Sequence, residues 1–368
     1  MPTTYRSISA QVAAALREGM TTGVWPSVLP GERTLAERLN VSRKTVRRAL
    51  AILRHEGLIR TERSRASVRT RATPRPEPPR KVALLLPTPL EGARPFTVLW
   101  VNRLMSLLHE SGLQLEVVSG EKYFGARAGL SLRRLVAEHE ARCWILARSH
   151  RALQQWFAVN NIPAVVAGST HTGIDLPSVD IDHRALCRHA ATAFLRHGHC
   201  RLALFLEKAG HGGDDDSERG FKEGLAGDAR AASPLICRPD KSAAAVIHEL
   251  RRLQALAAPP TGYLLSNSFS YLTVLSYLAF EGLRVPRDVS LISRDEEPFL
   301  SHLHPMPTRY AIAPAKFAAA LHQTIQRVLE RDVAPGHAVR IMPDFVKGDS
   351  LARPSAAESG RVTSTPPL

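Results

Sequence analysis

The chain has 368 residues, too many for one small domain and enough for two or three. Its hydrophobic fraction of 44% supports buried cores, and no run approaches the roughly 20 apolar residues that a membrane span needs. The formal net charge is +15, and residues 1–80 hold 16 Lys and Arg against 6 Asp and Glu, so +10 of the excess sits there, the footprint expected of a segment that meets a polyanion.

The first predicted element is a helix from Ser7 to Met20, with Ile8, Val12, Ala15 and Leu16 on one side. Residues 29–50, LPGERTLAERLNVSRKTVRRAL, then read as two short helices joined by a tight turn. Asn40 suits the turn because its short polar side chain tolerates a left-handed backbone. Ser42 stands where an N-cap belongs, able to accept from the Thr45 or Lys44 N–H. Val46, Ala49, Leu50 and Leu53 follow at helical spacing and form one apolar stripe, while Arg43, Lys44, Arg47, Arg48 and Arg54 point away from it. Gly57 gives the helix a place to stop. A helix anchored on one face and basic on the other has the shape that enters a DNA major groove. A solvated basic face is the plainer alternative, and the ordered set of helix, turn, Ser cap and basic run weighs against it.

On these residues the segment from about Ile8 to Val68 resembles the winged helix-turn-helix of the GntR family of bacterial transcription regulators. The matching positions are Leu29, Pro30, Glu32, Arg33, Leu35 and Ala36, then Val41 to Arg43, Thr45 to Arg47, Ala49 and Leu50, then Glu56 to Ile59. The resemblance implies that Arg33, Arg43 and Arg47 contact DNA and that Ser42, Lys44 and Thr45 belong to the opening of the recognition helix. Arg48 joins this candidate set, with Arg63 and Arg65 of the wing. One departure is visible: the family's wing tip is usually glycine-rich, and the stretch from Glu62 to Val68 holds no glycine, which predicts a wider turn.

Residues 73–80 contain four prolines and read as a semi-rigid linker. Short apolar runs then alternate with helical patterns: strands at Lys81–Pro87, Leu113–Ser119, Cys143–Ala147, Pro163–Ala167, Arg201–Leu206, Leu235–Cys237, Gly262–Ser266 and Val289–Ser293, with helices between. That alternation predicts parallel sheets covered on both faces, and two lobes rather than one very wide sheet. Ligands in such sheets bind at the carboxyl ends of strands, and two lobes add a cleft.

The segment from about Lys81 to Leu351 resembles the effector domain of the LacI/GalR family, which has the type I periplasmic-binding-protein fold. The matching pieces, in order, are Pro177–Ala185, His197–Ala203, Arg219–Leu225, Ser266–Asn267 and Gly282–Glu296. The resemblance implies two lobes joined by three crossovers, expected near Asp182, Pro298 and Pro343. It also implies a homodimer, which would read a pseudo-palindromic double-stranded operator. The fold class expected is therefore α/β, an α+β winged helix-turn-helix followed by a two-lobed periplasmic-binding-protein-like domain. The expected domains are residues 1–72, a linker over 73–80, an effector and dimerisation domain over 81–353, and a disordered tail over 354–368.

The cleft departs from sugar-binding members of that family. The usual arginine three residues before the Gly-Phe pair is Ser217, the Asn-Asp pair is Asn267-Ser268, and the Gly-Phe-Asp-Asp run is Ser293-Arg294-Asp295-Glu296. Two anchors for sugar hydroxyls are thus missing. Arg294 offers a cation for an acidic or phosphorylated ligand, or else forms a structural pair with Asp295 or Glu297. The candidate pocket residues are Phe96, Ser149, Ser217, Asn267, Ser268, Arg294 and Asp295.

Residues 211–216, HGGDDD, invite a metal reading, set against a mobile loop whose acids favour a helix N-terminus; no metal is expected. Cys143, Cys187, Cys200 and Cys237 form no CxxC pair, and the N-terminus shows no secretory pattern, so a cytoplasmic protein is expected. None of the phosphate-binding, nucleophile-elbow or zinc-protease motifs occurs, so neither an enzyme nor a cofactor is expected. The function expected is transcription regulation, with repression the expected sense, controlled by a small molecule such as a sugar or sugar derivative. The alternative is a regulator whose large domain is a ligand-free dimerisation or protein-partner scaffold.

Overall fold

The structure is a computed structural model that describes residues 8–21, 24–25, 28–62, 66–69, 80–125, 127–208, 211–240 and 242–354. The chain divides into two compact units between Glu77 and Pro78.

The first unit contains α1 (Ile8–Thr21), β1 (Val28–Leu29), α2 (Glu32–Arg38), α3 (Arg43–His55), β2 (Ile59–Glu62) and β3 (Ala66–Arg69). The three strands form an antiparallel sheet in the order β1-β3-β2. Val12 and Leu16 of α1, Leu35 of α2, and Val46, Leu50 and Leu53 of α3 share one buried core. The apolar spacing of α3 is satisfied by these two neighbouring helices, which leaves its other side to solvent.

The second unit runs β4 (Lys81–Leu86), α4 (Pro95–Glu110), β5 (Gln114–Ser119), α5 (Gly129–His139), β6 (Cys143–Ala147), α6 (Arg151–Val159), β7 (Ala164–Ala167) and β8 (Ser178–Ile181). It continues with α7 (His183–Arg196), β9 (Leu202–Phe205), α8 (Gly212–Leu225), β10 (Leu235–Cys237), α9 (Ala243–Gln254), β11 (Gly262–Leu265), α10 (Ser268–Phe280) and β12 (Ser290–Ser293). It ends with β13 (Thr308–Ala311), α11 (Pro314–Glu330), β14 (Ala338–Ile341) and β15 (Asp344–Val346). Two six-stranded sheets result, β14-β8-β7-β6-β4-β5 in the first lobe and β10-β9-β11-β12-β13-β15 in the second. All pairings are parallel except β13 with β15. In β6 the side chains alternate, with Cys143 and Ile145 in one core beneath α4 and α11, and Trp144 and Leu146 in another beneath α5 and α6. A strand buried on both faces needs an unbroken apolar run, and that is what β4 and β6 carry.

The chain crosses between lobes three times, at Asp182, at Ile312–Ala313 and at Met342–Pro343. The second crossing therefore lies well beyond the expected Pro298. Residues 308–311 add a further strand to the second sheet before the chain returns to the first lobe in α11, whose Phe317, Leu321 and Ile325 are buried there. The acidic run Asp214 to Asp216 lies in the first turns of α8, which begins at Gly212, so these carboxylates sit at a helix N-terminus as expected.

Candidate functional site

At the start of α3, Asn40 adopts φ 51° and turns the chain. Ser42 is extended, with φ −66° and ψ 148°, and its Oγ accepts the Thr45 N–H at 3.1 Å. A cap of this kind stabilises a helix by about 1 kcal/mol. Arg43, Lys44, Arg47 and Arg48 are exposed on the side opposite the buried stripe, and Thr45 is half-buried. Arg47 is bridged to Glu32 of α2 at 3.0 Å, and Arg33 to Glu37 at 3.2 Å. Arg43, Lys44 and Arg48 make no ion pair among the described residues. Exposed pairs are worth only about 0–1 kcal/mol, so an incoming phosphate competes for Arg33 and Arg47 at small cost. The wing candidates Arg63 and Arg65 lie outside the described residues.

Between the two lobes of the second unit lies a cavity of about 180 Å³, on the order of ten times the space one water needs. The first lobe contributes an aromatic wall, in which the Phe317 ring lies 5.9 Å from Phe96 and 5.5 Å from Trp100. Charged side chains face one another across the cleft. Arg94 Nη1 reaches Asp295 at 2.5 Å and its Nε lies 3.6 Å from Glu297, while Arg148 reaches Glu207 at 3.1 Å. Within the second lobe Arg294 Nη1 donates to Ser217 Oγ at 2.7 Å and pairs with Asp214 at 3.4 Å, and its Nε lies 3.7 Å from Asp295. Burial pushes the Asp295 carboxyl up, but the guanidinium groups of Arg94 and Arg294 outweigh it and hold the group below its ordinary range. Asp180, buried beside His183 and bonded by Ser169, is held low in the same way. Burial raises Glu297, which Arg94 offsets only in part.

Two adjacent glycines permit this close approach. A Cβ on Gly212 would lie 2.9 Å from the Ser169 carbonyl oxygen, and one on Gly213 would lie 2.6 Å from the His183 ring. Any side chain at either position would push the start of α8 away from the loop after β7 or from His183.

Residues 8–68 match the family model described as bacterial regulatory proteins, gntR family, and residues 191–351 match that of a periplasmic binding protein-like domain. The chain carries a gntR-family domain followed by a periplasmic-binding-protein-like domain. Among solved structures, a putative LacI transcriptional regulator from Bacillus cereus subsp. cytotoxis is 21% identical, with a TM-score of 0.67 over 74% of this chain and 98% of that one. The complex of the transcriptional regulator CelR with cellobiose is 18% identical, with a TM-score of 0.65 over 94% of this chain and 100% of that one. A LacI family regulator from Enterococcus faecium with bound ribose is 17% identical, with a TM-score of 0.59 over 74% of this chain and 99% of that one. These likenesses establish a LacI-type fold. No curated relative matches the chain.

In the second unit, four of the seven pocket candidates, Phe96, Ser149, Arg294 and Asp295, line the cavity. The other three do not. Ser217 lies one turn inside α8, donating to the Gly213 carbonyl at 2.7 Å and accepting from Arg294. Asn267 is spent as the N-cap of α10, accepting from Phe269 N–H at 2.8 Å while its amide donates to Glu207 at 2.6 Å. Ser268 is the first, buried residue of that helix. Strand-end reasoning placed these positions near the cleft but could not separate a residue that caps a helix from one that faces the space. The reading missed Arg94, Asp180, His183, Glu207 and Asp214. Asp214 carried a signal, since the Gly-Gly-Asp run opens a helix at a strand end; Arg94, 201 positions from its partner Asp295, carried none. Among the described residues no group of three His, Cys, Asp or Glu is placed to hold a metal ion, and no helix is long and apolar enough to cross a membrane.

Proposed function

We propose that this protein is a DNA-binding transcription regulator, acting as a repressor, whose operator affinity is set by a small molecule in the cleft of its second unit. The observation that carries the reading is α3, a Ser42-capped helix whose apolar stripe is buried and whose Arg43, Lys44, Arg47 and Arg48 face outward, within a segment matching a gntR-family domain. Arg33, Ser42 and Thr45 complete the DNA set, to which the sequence adds Arg63 and Arg65, outside the described residues. As a homodimer the protein would present two such helices to a pseudo-palindromic operator. Ligand binding would favour one arrangement of the lobes, change the spacing of the two recognition helices and lower operator affinity. A differential affinity of about 1–3 kcal/mol suffices for a 5–150-fold response. Selection of bound sequences from a random DNA pool, followed by anisotropy titration of the enriched site, tests the reading. A palindromic consensus bound far more tightly than bulk DNA supports it, and binding without sequence preference overturns it.

A second reading is favoured by one observation: the cleft arginines Arg94, Arg148 and Arg294 already have carboxylate partners. On that reading the ion pairs are structural and the domain is a ligand-free dimerisation or partner-binding scaffold. Equilibrium dialysis against small-molecule pools separates the two.

A further inference from the structure

The cleft's charge balance and an unpartnered carboxylate oxygen on Asp214 bear on the class of ligand. This inference rests on the reading of the cleft as a ligand site. Five carboxylates line the cavity, Asp180, Glu207, Asp214, Asp295 and Glu296, against three guanidinium groups, Arg94, Arg148 and Arg294. Just outside, Arg309 pairs with Glu296 and Glu297 sits buried behind Arg94, so the excess of carboxylates persists. His183 and His211 also line the cavity, with His183 Nε2 3.5 Å from Asp180. Each of these arginines has a carboxylate partner, Arg94 in Asp295, Arg148 in Glu207 and Arg294 in Asp214 and Asp295, while Arg294 Nε, 3.7 Å from Asp295, has no hydrogen-bond partner among the described residues. An anionic ligand would have to pull a guanidinium group from a carboxylate that would then stay behind unpaired in a buried place, which is strongly unfavourable.

The carboxylates are not equally occupied. Asp295 accepts from Arg94 and lies 3.7 Å from Arg294 Nε, Glu207 accepts from Arg148 and Asn267, and Asp180 accepts from Ser169 and the Ile181 N–H. Among the carboxylates that line the cavity Asp214 is different, while behind Arg94 both oxygens of the buried Glu297 also lack a hydrogen-bond partner among the described residues. Asp214 is 4% exposed, its Oδ1 faces Arg294, and its Oδ2 is buried with no hydrogen-bond partner among the described residues. A buried carboxylate oxygen without a donor is costly and rare. The same cavity has an aromatic wall of Phe96, Trp100 and Phe317, whose ring faces attract cations.

We propose that the cleft takes a small molecule bearing a protonated amine, with Asp214 Oδ2 accepting from the ammonium group, and that it rejects carboxylate and phosphate analogues. The test uses the full chain and a series built on one pyranose ring: glucosamine, glucose, N-acetylglucosamine, glucuronate and glucose 6-phosphate, with putrescine and spermidine as amines without a sugar ring. Thermal unfolding and calorimetric titration are read on each. An amine is expected to raise the melting temperature by several degrees at about a hundred times its dissociation constant, with the acids and the phosphate ester silent. Asp214→Asn should weaken that binding at least about tenfold, as loss of a charge-assisted hydrogen bond does, whereas Asp215→Asn, at the exposed neighbour, should not. Should Asp214→Asn fail to fold, the wild-type comparison of glucosamine with glucose and N-acetylglucosamine still decides. Preference for a neutral or acidic member overturns the amine assignment and leaves the ligand-controlled reading standing. Silence across the whole series, with both variants folded and unchanged, overturns the assignment and also counts against that reading.

Discussion

Arg43 and Arg47 occupy the same exposed face of α3 but differ in what each would give up if, as proposed, it reaches DNA. Arg43 has no ion-pair partner among the described residues, whereas Arg47 must leave Glu32. Arg43→Ala should cost about 1–3 kcal/mol of operator affinity and relax preference at one base position, if it reads a base edge. Glu32→Ala should act in the opposite direction, tightening binding by up to about 1 kcal/mol, because it releases Arg47 and removes a negative charge near the phosphates. Anisotropy titrations on one operator check both, and a Glu32→Ala variant that binds more weakly would show that the pair positions Arg47 rather than restrains it. In the cleft, pH is the probe. Asp295 and Asp180 are held below the ordinary carboxylate value when folded, so each contributes stability that is present above the unfolded value and lost as pH falls through the folded one. Glu297, raised by burial, has the opposite sign. Below about pH 4 the urea midpoint should fall, and it should fall less steeply in Asp295→Asn. Equal slopes in the two proteins would mean that Asp295 does not report on acid unfolding.

At the scale of elements, the α7–α8 crossing shows why the stretch Arg219–Leu225 has its composition. A Cβ on Gly220 would lie 2.0 Å from the Arg184 carbonyl oxygen, and one on Gly224 would lie 2.6 Å from the Arg188 carbonyl oxygen. Two glycines four apart on one helix face let α8 lie directly against the backbone of α7. Gly220→Ala meets main chain rather than a movable side chain, so it should destabilise the protein by at least about 1–3 kcal/mol in denaturant unfolding. A loss under about 0.5 kcal/mol would mean that the helices separate freely. The same region shows how far the sequence could be read. Strands such as Lys81–Leu86 and Cys143–Ala147 were legible because a doubly buried strand must be continuously apolar, and α3 because its stripe, cap and turn agree. The helix Pro314–Glu330 is equally periodic in Phe317, Leu321 and Ile325, and because it follows a further strand of the second sheet it puts the second crossover beyond Pro298. Cleft residues were less legible still. Whether Asn267 faces a ligand or caps α10 depends on a hydrogen bond to Phe269, and spacing alone does not distinguish the two. The pairing of Arg94 with Asp295 depends on the way two lobes close on each other, which no local pattern encodes.

At the scale of the second unit, the ion pairs across the cleft link its two lobes and are where a ligand of the proposed kind would act. Arg94 and Arg148 belong to the first lobe, and their partners Asp295, Glu297 and Glu207 to the second. If lobe arrangement governs operator affinity, these pairs set how much of the closed arrangement exists before any ligand binds. Replacing Arg94 and Arg148 together with Met keeps the side-chain length and removes the attraction, which should populate wider arrangements. Small-angle scattering of the double variant should then give a larger radius of gyration than wild type. Operator binding should persist, because the recognition helices are untouched. Release of operator by a cleft ligand should need more of it, by about tenfold for each 1.4 kcal/mol spent drawing the lobes together. The two readouts must move together. A larger radius with unchanged ligand sensitivity would uncouple lobe closure from DNA release, and an unchanged radius would place these arginines in the architecture of the cleft rather than in its switch.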